Sequence, residues 1–194
     1  MTYNLRTSLR IVLFLSLWVA VTSAASGAWR FGQAEVSVKC PLAVGGSFDA
    51  KTSALTGTLT ASAGRRSAFD GTLAVDLRTV DTGIDLRNEH LREKYLEVDK
   101  GAGYDQAILS EVSLQGLNAD APAGKGSFAA SLTLHGVKKT VTGPAEIRPA
   151  GTGWRVRASF PLNLPDYNID KPRYLGVGVK DTVQVTVTFT ATQS

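Results

Sequence analysis

The chain is poor in the residues that build covalent cross-links and metal sites. It has one cysteine, Cys40, and two histidines, His90 and His135, among 194 residues. A single cysteine excludes an intrachain disulfide, and we expect Cys40 to pack as a small buried apolar side chain. The two histidines lack an i,i+4 partner and a cysteine at metal-binding spacing. The sequence therefore predicts no metal site, and no other cofactor.

Motifs for nucleotide chemistry are also missing. The segment Ala123–Ser127 resembles a phosphate-binding loop, but Ala119 replaces its first glycine and a glycine follows its lysine, so a hairpin turn is the better interpretation. No G-x-S-x-G motif occurs. Basic residues number 21 against 17 acids, scattered as pairs rather than tracts. We therefore predict that nucleic acid is not a partner.

Long apolar runs are absent except near the N-terminus. Arg6 and Arg10 precede the apolar run Ile11–Val21, and small residues follow it. This order is that of a secretory signal peptide, and the run is too short for a membrane span. We predict a signal peptide over residues 1–24, with cleavage possible as late as 28, and a single mature domain over 29–194. The expected location is the periplasm, with no stable membrane span after cleavage.

The remainder of the chain alternates between apolar and polar residues with a period of two. Val183–Phe189 is the clearest case, and similar alternation occurs near residues 36–38, 55–59, 73–77, 128–134 and 154–160. Glycine-containing breaks separate these segments. Short strands at this spacing predict an all-β, antiparallel sandwich or barrel. The residues alone leave open whether the apolar faces fill the interior or line a lumen.

One segment has helical rather than strand periodicity. We predict an amphipathic helix within Val80–Val98, with Thr82 or Asp85 as the N-terminal capping residue. Its less polar side carries Leu86, His90, Leu91 and Tyr95. A single short helix in an all-β chain is expected to flank the sheet or to cover an opening in it.

Two blocks of this chain resemble motifs of the YceI-like family. Thr79–Gly83 (TVDTG), followed by Arg87–Arg92 (RNEHLR), resembles "S-I-D-T-G … R-D-x-H-L-R". Leu132–Val141 (LTLHGVKKTV) resembles "L-T-L-H-G-V-T-K-P-V". Asp166–Ile169 and the strand that begins at Asp181 resemble two further family elements. Cys40 stands where many members carry histidine.

The resemblance implies a lipocalin-like antiparallel β-barrel of about eight strands with one short amphipathic helix. It also implies an exported, non-enzymatic protein that holds a polyisoprenoid or similar amphiphilic lipid in its lumen. Arg87, His90 and Arg92 are candidates for contact with a polar head group. The residues expected to contact the lipid are Leu73, Val75, Leu86, His90, Leu91, Tyr95, Phe128, Leu132, Leu134, Val156, Val185, Val187 and Phe189.

Two other functions are compatible with the sequence. One is an enzyme acting on a small amphiphile, with His90 or His135 as general base. The other is a packed barrel that serves as a stress-response adaptor. The oligomeric state is not indicated by the residues.

Overall fold

The structure is a computed structural model that describes residues 28–65, 67–117, 123–174 and 176–193. The predicted signal peptide, residues 1–24, lies outside the described residues. Strands dominate the described chain, as the period-two alternation predicts. Their bounds are β1 Ala28–Pro41, β2 Ser47–Thr52, β3 Leu55–Ala61, β4 Phe69–Asp76, β5 Gln106–Gln115, β6 Gly124–Leu134, β7 Val137–Ala150, β8 Gly153–Asn163, β9 Arg173–Tyr174, β10 Val177–Gly178 and β11 Thr182–Gln193.

The main sheet closes on itself as an antiparallel barrel. Eight strands form the ring in the order β1, β3, β4, β5, β6, β7, β8 and β11, and β11 pairs with β1 to complete it. β2 pairs with the second half of β1, from Val36 opposite Thr52 to Pro41 opposite Ser47. The short strands β9 and β10 form a separate pair. The predicted eight-stranded lipocalin-like barrel is confirmed.

The structure contains the predicted short helix, which occupies part of Val80–Val98. An α-helix, α1, spans Asp85–His90 and continues as one π-helical turn over Leu91–Tyr95. Val80 and Asp81 are extended instead, because the Asp81 backbone exchanges two hydrogen bonds with Lys51 of β2. Three 3-10 turns, Leu77–Thr79, Val98–Lys100 and Leu164–Tyr167, complete the helical structure of the described residues.

The capping prediction for α1 is wrong. Ile84 occupies the N-cap position, and its side chain forms no capping hydrogen bond. The Thr82 hydroxyl donates to Asn88 Oδ1 at 2.7 Å instead. Asn88 is one turn into the helix, and its side chain extends back toward the N-terminal end. It accepts hydrogen bonds from Thr82, so Thr82 is bonded to the helix without acting as its cap.

The connections divide the barrel into two ends. One end carries the β1–β2 turn at residues 42–46, the long segment 77–105 with α1, the turn at 135–136 and the segment 164–181. We call this the helix end. The far end carries the short connections after β3, β5 and β7. No helix among the described residues is both long and apolar enough to cross a bilayer.

Close approach of two strands requires glycine at position 143. A Cβ atom on Gly143 would lie 1.9 Å from the Ser159 carbonyl oxygen of β8. That contact is with backbone and cannot be relieved by a rotamer change. β7 and β8 can pack this closely only when the residue has no side chain.

We expect Gly143→Ala to lower the free energy of unfolding by about 1–3 kcal/mol through overpacking. The measurement is urea denaturation followed by tryptophan fluorescence. Gly178→Ala is the matched control, since its Cβ would meet only a side-chain carbon at 3.9 Å. Equal stability of the two variants would contradict the packing argument.

Candidate functional site

The barrel encloses a lumen of about 620 Å³ with an almost wholly apolar wall. This volume lies within the usual range for small-molecule and cofactor sites. Small inward residues leave the space open: Ala145 of β7 pairs directly with Ala158 of β8, and both line the lumen. The interior is therefore not filled by its own side chains.

Most of the residues predicted to contact lipid lie on the wall of this cavity. On each strand these residues share the inward face, and the helix adds its own inward side. The residues from the predicted set that line the cavity are Leu73, Val75, His90, Leu91, Tyr95, Phe128, Leu132, Leu134, Val156, Val185, Val187 and Phe189, together with the head-group candidate Arg87.

Two predicted residues lie elsewhere. Leu86 does not line the cavity, and its side chain is 49% exposed at the start of α1. The helix begins only at Asp85, so its inward side starts at Arg87. Arg92 also faces away from the cavity, and its Nη2 donates to the Val80 carbonyl at 2.8 Å. Arg92 fastens the helix to the preceding segment rather than pointing into the lumen.

The cavity opens at the helix end. Its wall there includes Val44 in the β1–β2 turn, which is 77% exposed, and the cationic residues Lys51 and Arg173. The wall at the far end is formed by buried residues such as Trp29 and Phe69. A ligand with one polar end would keep that end at the helix end, which we call the mouth.

A polar cluster holds α1 at the mouth. Asp81 Oδ1 accepts hydrogen bonds from the Gly83 amide at 2.8 Å and from Asn88 Nδ2 at 2.7 Å. These two donors hold the pKa of Asp81 below its usual range. Asn88 Oδ1 in turn accepts from both the amide and the hydroxyl of Thr82. The buried Asn88 therefore joins the helix to the segment that is paired with β2.

Two further contacts join α1 to other parts of the mouth. The Arg87 guanidinium carbon lies 4.1 Å from the centroid of the Phe48 ring on β2, in cation–π geometry. The Tyr95 hydroxyl accepts a hydrogen bond from the Arg173 amide at 2.9 Å. The helix thus bridges β2 and the 164–181 segment across the opening.

Several residues of the mouth carry no sequence signal that would have revealed them. Lys51 and Arg173 are ordinary surface cations by sequence, and Phe48 lies in a strand too short to show alternation. Only the register that pairs β2 with β1 and the Tyr95–Arg173 contact bring them to the opening. Cys40, expected to be buried, is partly buried and forms part of the cavity wall.

His135 is a structural residue of a tight turn and does not line the cavity. His135 and Gly136, with φ angles of 51° and 73°, connect β6 to β7 as a two-residue hairpin. The imidazole Nδ1 lies 3.0 Å from the Tyr167 carbonyl oxygen, and Nε2 lies 2.9 Å from Glu97 Oε2. Both ring nitrogens are engaged by acceptors within the fold, and the ring is buried away from the cavity.

His90 differs from His135 in every respect that matters for the site. It lines the cavity from α1 and is partly exposed. Within the described residues, no hydrogen bond orients its ring and no carboxylate pairs with it. The described residues also contain no group of three or more histidine, cysteine or acidic side chains that could hold a metal ion.

Comparison with known proteins identifies a family from the sequence and a shared fold from solved structures. The family model described as YceI-like domain matches residues 26–191. No curated protein sequence matches the chain at a significant level.

Solved structures share the fold at low sequence identity. BcnA of Burkholderia cenocepacia has 19% identity and a TM-score of 0.65, over 82% of this chain and 96% of its own. A polyisoprenoid-binding domain from Saccharophagus degradans has 17% identity and a TM-score of 0.63, over 87% and 99%. The Campylobacter jejuni YceI protein has 14% identity and a TM-score of 0.53, over 72% and 81%.

We expect truncation of His135 to lower the free energy of unfolding much more than truncation of His90. His135→Ala removes two hydrogen bonds to a buried ring and should cost about 2–3 kcal/mol of unfolding free energy. His135→Asn should cost less, because asparagine tolerates the positive φ. His90→Ala should change stability by less than about 0.5 kcal/mol. Chemical denaturation of the three variants is the measurement, and a larger loss for His90→Ala than for His135→Ala would contradict these roles.

The thiol of Cys40 should be slow to react with alkylating agents. Burial, together with the charge of Asp49, raises the pKa of Cys40 to about 12. Because the thiolate is the nucleophile, the rate of iodoacetamide modification should keep rising tenfold per pH unit beyond pH 9 instead of levelling off. The protein unfolded in guanidinium is the control, and its single thiol should show a plateau near the ordinary pKa. A plateau near pH 9 in the folded protein would contradict the assignment.

Proposed function

The chain belongs to the YceI-like domain family, and from this membership we propose that it is an exported, non-enzymatic carrier of a long-chain amphiphilic lipid. The ligand is a polyisoprenoid or a molecule of similar shape, and it lies in the barrel lumen with its polar end at the mouth. The observation that carries the proposal is the open apolar lumen of about 620 Å³. Its wall is almost wholly apolar, as a hydrocarbon chain requires.

The energetics of burial support this function. A long apolar chain in the lumen would bury several hundred Å² of its surface, which at ~25 cal/mol per Å² contributes about 10 kcal/mol gross. Ordering a flexible chain and the loss of translational freedom return part of that gain. The balance is compatible with a ligand that is retained through purification.

The comparisons and the N-terminal sequence add independent support. The Saccharophagus degradans domain, which shares the fold, is described as polyisoprenoid-binding. Arg6, Arg10 and the apolar run Ile11–Val21 have the order of a signal peptide. Export would place the carrier in the periplasm.

Native mass spectrometry of protein purified from the periplasm of its own host tests the proposal. We expect a stoichiometric lipid adduct that survives mild ionisation and dissociates at higher collision energy. An empty protein that also binds neither added isoprenoid alcohol nor added isoprenoid phosphate would refute the carrier function. Turnover of the adduct that disappears in His90→Ala would favour an enzyme instead.

Val185→Arg should abolish the lipid adduct, because it places a charge on the lumen wall. Gln184→Arg is the matched control, since Gln184 is the exposed neighbour on the same strand. Ala158→Phe tests the same point by volume, without introducing a charge. Thermal melting identifies variants that merely fail to fold, and full lipid occupancy in folded Val185→Arg and Ala158→Phe would contradict the luminal site.

A further inference from the structure

The charged residues around the cavity are all of one sign. Arg87 on α1 and Arg173 on β9 line it near the mouth, with the partly exposed His90 beside them. Lys51 also borders it, although its exposed side chain lies between the inward-facing Ala50 and Thr52 of β2. Among the described residues, no aspartate or glutamate lines the cavity. The chain as a whole is nearly balanced in charge, with 21 basic and 17 acidic residues. The mouth is therefore a local concentration of positive charge.

The helix separates its charges between its two sides. Arg87 and His90 face the cavity, whereas Asp85, Glu89 and Glu93 line a shallow groove on the outer side of the helix. Asp81, the acid nearest to Lys51 by backbone pairing, directs Oδ1 to the Gly83 and Asn88 donors. The three acids of the helix are thus turned away from the opening, and Asp81 Oδ1 is already engaged. Asp49, on the same strand as Lys51, does not line the cavity.

Backbone contacts bring the three cations to one place. Lys51 exchanges two hydrogen bonds with Asp81, at 2.7 and 2.8 Å, and so lies beside the segment that leads into α1. The Arg173 amide donates to Tyr95 at the other end of the helix. Arg87 lies between them on the helix. The cations therefore come from three separate elements that meet at the rim of an apolar cavity.

We propose that the mouth selects amphiphiles with an anionic head group, a phosphate or a carboxylate, over neutral or cationic amphiphiles with the same chain. This inference rests on the proposed carrier function and assigns the head-group class of the same site. A cationic rim above a low-dielectric cavity attracts an anionic head while the chain enters the lumen. Lysine and arginine supply charge-assisted hydrogen bonds to either kind of oxyanion. Arg92, turned outward, takes no part.

Binding of four ligands to the delipidated protein tests the selection. Geranylgeranyl phosphate, geranylgeraniol and geranylgeranylamine share one chain and differ in charge, and phytanic acid supplies a branched isoprenoid carboxylate. Dissociation constants are measured at low and at high sodium chloride. We expect both acids to bind about tenfold or more tighter than the alcohol at low salt, with the advantage shrinking as salt screens the rim. The tighter of the two acids identifies the head group.

Substitution of the rim cations tests the residues. The double variant Lys51→Met, Arg173→Met should weaken binding of geranylgeranyl phosphate about tenfold and leave binding of the alcohol unchanged. Lys94→Met, Lys180→Met is the matched control: it removes the same charge from exposed positions at the same end that do not line the cavity. Arg87 is kept because its stacking on Phe48 forms part of the wall.

The outcomes separate this inference from the carrier function. If the alcohol binds as tightly as the phosphate at low salt, or if the control double variant loses as much affinity as the rim variant, the head-group inference fails and the carrier function stands. If none of the four ligands binds, the carrier function itself fails.

Discussion

Closure of the sheet between β1 and β11 is the constraint on which the rest of the structure depends. Register runs from Trp29 opposite Gln193 to Lys39 opposite Gln184, with one irregularity between Gly32 and Ala34. A closed antiparallel sheet has no free edge, so every strand turns one face inward for its full length. Side chains of alternate residues then converge on one axis. The lumen and its apolar wall follow directly from that geometry.

The mouth depends on a few polar contacts rather than on the barrel itself. The π-helical turn and the absence of a side-chain cap show that α1 is not a strong helix by itself, and short isolated helices are marginal in water. Asn88 compensates by joining Thr82 and Asp81 to the helix. The same contacts orient Arg87 and His90 toward the opening. The contacts that fix the position of the helix therefore also fix the positions of its charged side chains.

The strands were predictable from sequence where alternation is uninterrupted, as in β11 and β6. β5 was missed because a bulge between Ser110 and Ser113 shifts its inward residues from Leu109 to Val112 and Leu114. β7 was missed because Pro144 and Gly143 break its apolar series, although Val141, Ala145 and Ile147 keep the inward parity. Period-two reasoning fails wherever the backbone inserts a residue or a strand uses small side chains.

The residues of the candidate site also fall into a predictable group and an unpredictable group. The wall residues follow from strand parity, whereas Leu86 and Arg92 were misplaced because helix phase depends on the residue at which the helix starts. Lys51 and Arg173 could not be predicted, since pairing between distant segments brings them to the opening. Asn168, which follows the 3-10 turn Leu164–Tyr167, has a φ of 55°. Asparagine tolerates that left-handed conformation, so it suits the end of this turn.

Whether such a barrel is hollow or packed depends on a sum of side-chain volumes, and no single residue announces the result. Eight strands enclose a space that large side chains can fill. Here alanines such as Ala50, Ala145 and Ala158 face inward, so the space stays open. An open lumen forgoes the dispersion contacts that a packed core would supply. The buried apolar residues of the wall and the closed ladder of hydrogen bonds together hold the fold, and any ligand that enters stabilises it further by binding only the folded state. A lumen that is costly to leave empty and apolar along its length is best explained by an occupant.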